Sequence, residues 1–186
     1  MIPSIKKTFG DYQDKILSFL NKKRKDIKVF DCLKNEFPNE KELNLFAGFI
    51  ITGSRHSVYQ HDEWIENLKD IIIKMDEMKV RLIGICFGHQ VIADAFGCNV
   101  EENKNGWEVS LSTIKLNEDG QKLFGRKQLR IHQMHKDVVT EIPDDIGLKI
   151  IALNKNGEIQ GLMKDHHIIT LQGHPEYHDD IIELFF

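Results

Sequence analysis

The sequence predicts an α/β protein built on an open, mixed, mostly parallel sheet flanked by helices, with antiparallel hairpins in its second half. Two observations carry this. In the first half, short apolar runs alternate with amphipathic helical segments, the order strand, helix, strand, helix that implies βαβ crossovers. In the second half, short strands follow one another between turn signals such as Asn156-Gly157, the pattern of hairpins.

Tyr12, Ile16, Leu17, Phe19 and Leu20 recur at helical spacing, so Asp11 to Lys22 reads as an amphipathic helix. Ile27 to Leu33 alternates in the manner of a strand. Leu45 to Ile51 is a nearly continuous apolar run ending at Thr52-Gly53-Ser54, which predicts a strand buried on both faces. Trp64, Ile65, Leu68, Ile71, Ile72 and Met75 line a helix whose start near Asp62 or Glu63 carries the negative charge that suits a helix N-terminus. Val80 to Ile85 is a further apolar strand, and Val91 to Phe96 a helix stopped by Gly97. Beyond it, Trp107 to Leu116 is extended and Gly120 to Phe124 a short helical turn. Leu129 to His135, Leu148 to Leu153, Glu158 to Met163 and Ile168 to Leu171 read as strands.

The chain of 186 residues suits one domain, 1–186, and no linker or repeat divides it. With 41% hydrophobic and 29% charged residues it has the balance of a globular protein. No apolar run approaches the roughly 20 residues of a membrane span. A net charge of -4 with mixed signs offers no stripe for a phosphate backbone, and Lys22-Lys23-Arg24-Lys25 reads as a solvated helix end, so nucleic acid is not an expected partner. Met1 to Lys7 lacks the apolar core of a secretory signal, and the three cysteines are an odd, irregularly spaced set. A reducing, cytoplasmic setting is the expectation.

The segment Gly84-Ile85-Cys86-Phe87-Gly88-His89-Gln90 places a nucleophile between two glycines at a strand-to-helix junction. That is the pattern of a nucleophile elbow, where the apex side chain is exposed at the carboxyl end of a strand. The positive end of the following helix favours thiolate at Cys86. Cys32 and Cys98 have no such setting and read as small buried hydrophobes. Near the other end, a strand runs into Gln172-Gly173-His174-Pro175-Glu176. An imidazole takes and returns a proton near neutral pH, and a carboxylate fixes its tautomer. Pro175 holds His174 extended, so that the His174 and Glu176 side chains project the same way. His166, His167, His174 and Glu176 have the chemistry of metal ligands, but no second His or Cys stands at zinc spacing, so no metal is expected.

Taken together, the Cys86 and His174 blocks resemble the two signature blocks of class I (triad-type) glutamine amidotransferases. A third block, Gly48 to Ser54, looks like that family's strand and glycine turn. The segment Ile131 to Asp137 suggests likeness to stand-alone, GMP-synthase-like members of fungal type. The resemblance implies a flavodoxin-like amidotransferase fold and catalysis by Cys86, His174 and Glu176. It implies an oxyanion hole from the backbone N–H groups of Gly53 and Phe87, and substrate contacts from Gln90, Gly106, Trp107 and His135. The substrate so implied is glutamine or another γ-glutamyl small molecule, split through a glutamyl thioester without a cofactor, with ammonia passed to an unidentified acceptor. Transfer of that ammonia calls for a separate synthetase partner subunit. Two alternatives are a γ-glutamyl peptidase acting on glutathione-like conjugates and an inactive binding or regulatory relative. Relatives begin with a central strand where this chain has Met1 to Gly10, so Met1 to Ile5 is read as a substitute for it or the sequence as shortened there. Ten residues follow Glu176, and Ile181 to Phe186 reads as the stump of a closing helix.

Overall fold

The computed structural model describes residues 12–177. The expectations for Met1 to Ile5, for the helix start at Asp11 and for Ile181 to Phe186 lie outside that range, as does His178. Within it the helices are α1 (Tyr12–Phe19), α2 (Glu40–Leu43), α3 (Glu63–Glu77), α4 (Phe87–Ala95) and α5 (Glu118–Phe124). The strands are β1 (Phe49–Ile51), β2 (Leu82–Ile85), β3 (Asn99–Glu102), β4 (Glu108–Leu116), β5 (Gln128–His135), β6 (Asp137–Glu141), β7 (Leu148–Leu153), β8 (Ile159–Lys164) and β9 (Ile168–Leu171).

Seven strands form one mixed sheet in the order β1-β2-β9-β8-β7-β4-β5. Pairing is parallel from β1 through β2 to β9 and antiparallel from β9 onward. Among the described residues, therefore, the antiparallel part is the wider. Helix α3 buries Ile65, Leu68, Ile72 and Met75, spaced by three and four residues along one face. They join Leu82, Val91, Ile92, Leu162 and Ile168 in the main core on that side of the sheet. The turn between β7 and β8 follows from Asn154, whose Oδ1 accepts from the N–H groups of Asn156 and Glu158 at 2.9 and 3.0 Å. Gly157 then takes φ +83°, which a residue with a Cβ adopts at a cost. No described helix is long and apolar enough to cross a membrane.

Two expectations need correction, and one pairing was not foreseen. Ile27 to Leu33 is not a strand. The N–H groups of Lys34 and Glu36 donate to the Asp31 carbonyl at 2.9 and 3.1 Å, turning the chain into a single 3₁₀ turn at Cys32–Lys34. Phe30 packs edge-to-face on Phe46 instead of entering a ladder. The apolar run before Thr52 gives only the three residues of β1, and these are half-buried rather than covered on both faces, because β1 is the edge of the described sheet. Leu45, in the same run, is 76% exposed. Finally, β3 and β6 pair with each other in a separate two-stranded sheet that the sequence pattern did not reveal, each being short and largely polar.

The junction of β2 and α4 leaves no room for a Cβ at either of its glycines. A Cβ on Gly88 would meet the Ile51 carbonyl oxygen at 2.2 Å, and one on Gly84 would meet the Gly88 carbonyl oxygen at 2.6 Å. Both neighbours are backbone, which has no rotamer in which to yield. Gly88→Ala is expected to destabilise the fold by about 3 kcal/mol, by forcing α4 off β1. Urea unfolding monitored by circular dichroism checks this; a midpoint equal to wild type would show the contact to be dispensable.

Candidate active site

Cys86 occupies the N-cap position of α4 with φ 55° and ψ −105°, a positive-φ conformation that a non-glycine residue adopts only under constraint. The constraint is the tight junction between β2 and α4, which turns the chain so sharply that the Cys86 side chain leaves from the carboxyl end of β2. Contrary to the exposed apex that the sequence pattern predicts, the residue is only 6% exposed, because it clusters with Ile16 of α1 and with Ile85. Its sulfur lies 3.9 Å from the Met134 carbonyl oxygen of β5. Cys32 and Cys98 sit in different company. Burial, helped by Asp31, pushes the Cys32 thiol up to about 11, and burial, helped by Asp94, does the same at Cys98.

His174 follows β9, the strand next to β2. Its backbone N–H donates to the His132 carbonyl at 2.8 Å, which fixes the turn after β9 against β5. The Nδ1–H of the ring donates to Glu176 Oε1 at 2.8 Å. That leaves Nε2 as the ring's other exchangeable position, and the Cys86 side chain is near enough to raise the ring's pKa. Both His174 and Glu176 are 2% exposed. Burial works against the charged ring, yet the Cys86 sulfur and the Glu176 carboxylate outweigh it and push His174 up to about 10. His174 and Glu176 are thus joined by a buried hydrogen bond, and Cys86, remote in sequence from both, acts on the same ring.

Gly53, two residues beyond β1, is buried. Phe87 opens α4, and the N–H groups of a helix's first turn have no acceptor within the helix. The close approach of Gly88 to Ile51 brings the two segments together beside Cys86. The remaining residues singled out in the sequence divide into two kinds. Gly106 (φ +74°) and the 62% exposed Trp107 form the approach to β4 and present themselves to solvent. Gln90 and His135 are 3% exposed and spend their polar atoms on the protein. Gln90 Nε2 donates to the Asp137 carbonyl at 3.0 Å and to Gln172 Oε1 at 3.2 Å. His135 Nδ1–H donates to the same Asp137 carbonyl at 3.1 Å, while its Nε2 faces Glu108 at 3.5 Å. The His135 ring in turn holds the Glu108 carboxyl below the usual carboxylate range. Among the described residues, no cluster of His, Cys, Asp and Glu could hold a metal ion.

Sequence reasoning missed two neighbours of the His174 and Glu176 pair. Tyr177 stacks on His174 with ring centroids 4.1 Å apart and planes 11° from parallel. Lys15, buried on α1, holds its ammonium 5.5 Å above the Tyr177 ring. Burial lowers the Lys15 pKa, against the pull of Glu176. Lys15 sits one residue before Ile16 in an ordinary helical pattern, so nothing in the sequence marked it. The position of Tyr177, directly after Glu176, was the one local signal that could have found it.

Residues 9–181 match the family model described as glutamine amidotransferase class-I. Gamma-glutamyl peptidase 4 of Arabidopsis thaliana is 37% identical over 183 residues, covering 95% of this chain and 72% of the relative. A subunit of the glutamine-hydrolysing GMP synthase of Saccharolobus solfataricus is 32% identical over 169 residues, covering 90% of this chain and 85% of the relative. In fold, the chain is similar to a solved glutamine amidotransferase from Thermotoga maritima, with a TM-score of 0.73 at 21% identity, over 93% of this chain and 73% of that one.

The raised pKa of His174 carries a sign that can be checked. Because the folded-state value of about 10 lies above the ordinary 6.5, the imidazolium contributes its stability in full below pH 6.5 and loses it as pH rises through about 10. The difference in unfolding free energy between wild type and His174→Gln is expected to narrow steadily across that window. Urea unfolding at a series of pH values measures it, and a flat difference would mean that the ring is neutral in the folded protein.

Proposed function

The chain belongs to the class I glutamine amidotransferase family, and on that premise we propose that it hydrolyses γ-glutamyl amides through a glutamyl thioester on Cys86. The observation that carries the reading is the buried hydrogen bond from His174 Nδ1 to Glu176, with the Cys86 side chain near enough to raise the same ring's pKa. That arrangement keeps a proton on the ring next to a sulfur that must be ionised to attack.

The steps follow from the positions of these groups. The Cys86 sulfur adds to the δ-carbonyl carbon, and the negative charge that develops on oxygen is held by the N–H groups of Gly53 and Phe87. His174 gives its proton to the departing nitrogen as the carbon–nitrogen bond breaks, which leaves the thioester and a neutral imidazole. Water then enters; His174 takes its proton, the hydroxyl adds to the thioester carbon, and glutamate leaves as the sulfur recovers its charge beside imidazolium. Glu176 keeps Nδ1 protonated throughout, so Nε2 alone exchanges protons with the reacting atoms. Gly106 and Trp107 contact the substrate, and Gln90 and His135 build the wall behind it. Residues 1–186 act as one catalytic domain, and the three free thiols suit a reducing cytoplasm.

Two leaving groups fit this chemistry. Likeness to a γ-glutamyl peptidase supports an amine, released from a γ-glutamyl peptide. Likeness to a glutamine-hydrolysing GMP synthase supports ammonia from glutamine, delivered to a separate synthetase partner. Of the two, the higher identity favours γ-glutamyl peptides.

Amine release from γ-glutamyl peptides and ammonia release from glutamine, assayed side by side, test the proposal. Cys86→Ala is expected to lower both by about 10⁴-fold or more. Turnover that survives the substitution refutes the thioester. At neutral pH, iodoacetamide is expected to label Cys86 at least about 10-fold faster than Cys32 or Cys98, both of which are held as thiols. Mass spectrometry of the labelled peptides reads the order, and equal rates would remove the case for an activated sulfur.

A further inference from the structure

The connection after β1 leaves the sheet at Ile51, runs through Gly53 and packs its Val58–Gln60 turn on α4 before α3 begins at Glu63. Such a connection is free to move unless something holds it. Here one carboxylate supplies the polar part of the hold. Asp137, the first residue of β6 and 5% exposed, accepts from Ser57 Oγ at 2.6 Å and from Tyr59 Oη at 3.0 Å. Its backbone carbonyl accepts from Gln90 Nε2 of α4 at 3.0 Å and from His135 Nδ1 of β5 at 3.1 Å. A single residue therefore joins the turn that carries Gly53 to the helix that carries Phe87.

The chemistry of the tie suits a rigid one. Hydrogen bonds to an ionised carboxylate are about twice as strong as neutral ones, and a buried carboxylate without donors is costly, so each partner holds the other in place. Burial pushes the Tyr59 phenol up, which keeps its proton available for donation. Val58, between the two donors, is fully buried and anchors the same short turn in the core.

We propose that Asp137 is a positioning residue for the oxyanion hole, fixing the Gly53 amide relative to the Phe87 amide through Ser57 and Tyr59. The proposal rests on the reading of those two amides as the oxyanion donors. Asp137 touches no reacting atom; it acts on where one donor stands when negative charge develops. Loss of a whole oxyanion donor lowers kcat by about 10² to 10³. Loosening one leaves it in place part of the time, so a smaller fall is expected.

The full-length chain tests this with Asp137→Asn, Ser57→Ala and the conservative Ser57→Thr. For the first two, kcat for γ-glutamyl hydrolysis is expected to fall by about 10- to 100-fold. KM and the rate at which iodoacetamide alkylates Cys86 stay within about twofold, because alkylation needs the sulfur and His174 but no oxyanion donor. Hydrogen exchange is expected to quicken across residues 52–60. Ser57→Thr, which keeps the hydroxyl, restores both kcat and protection. The proposal is overturned by unchanged exchange across 52–60, by unchanged kcat despite faster exchange, or by alkylation that falls in step with kcat. Should Asp137→Asn fail to fold, Ser57→Ala decides the matter alone. A wild-type protein without γ-glutamyl hydrolysis would sink the functional reading instead, while exchange and alkylation would still decide whether the carboxylate holds the turn.

Discussion

The close approach of α4 to the ends of β1 and β2 governs everything else in the site. It is possible only because Gly84 and Gly88 have no Cβ, since either side chain would run into backbone atoms. That approach forces the strained backbone of Cys86, and the strain, on the order of 1–3 kcal/mol for such a residue, is offset by the packing of a helix whose inner face is almost wholly buried. It sets the Cys86 sulfur at a helix N-terminus and beside the strand from which His174 emerges. It also sets the end of β1, two residues before Gly53, against Gly88. One steric condition thus fixes a side chain and a helix terminus together.

The chemistry beside Cys86 is a matter of charge in a dry place. His174 and Glu176 are almost fully covered, so isolated charges there would cost several kcal/mol each. They are tolerated because each has an opposite partner at hydrogen-bond range, and because Lys15 and Tyr177 stand behind the carboxylate and the ring. Helix α1 does more than cover a sheet face. It supplies a cation toward Glu176 and, through Ile16, an apolar contact to Cys86.

What could be read from the sequence was whatever local spacing encodes. The helical spacing of Ile65, Leu68, Ile72 and Met75 and the glycine-flanked cysteine are local, and the structure has the helix and the sharp turn those patterns predict. Asn156-Gly157 likewise falls in the turn between β7 and β8. Ile27 to Leu33 misled because alternation says only that a segment could be a strand; without a ladder beside it, the Asp31 carbonyl captured the following N–H groups and made a turn. The roles of Lys15 and Asp137 were invisible for a related reason. A lysine on a helix and an aspartate at a strand start are common on surfaces, and only the folded chain brings the first toward Glu176 and the second onto Ser57 and Tyr59, 80 and 78 positions away.

The sheet's far edge returns to the site: β5, last in the strand order, lies against both the Cys86 sulfur and the backbone of His174. The sulfur and its Met134 neighbour are separated by 48 positions, and the tie between His167 and Asp76 spans 91. Contacts of such range close late in folding. On the proposed reading, a chain in which β5 has not joined the sheet lacks the Met134 contact to Cys86 and the His132 contact to His174, so an activated sulfur at position 86 requires the finished sheet.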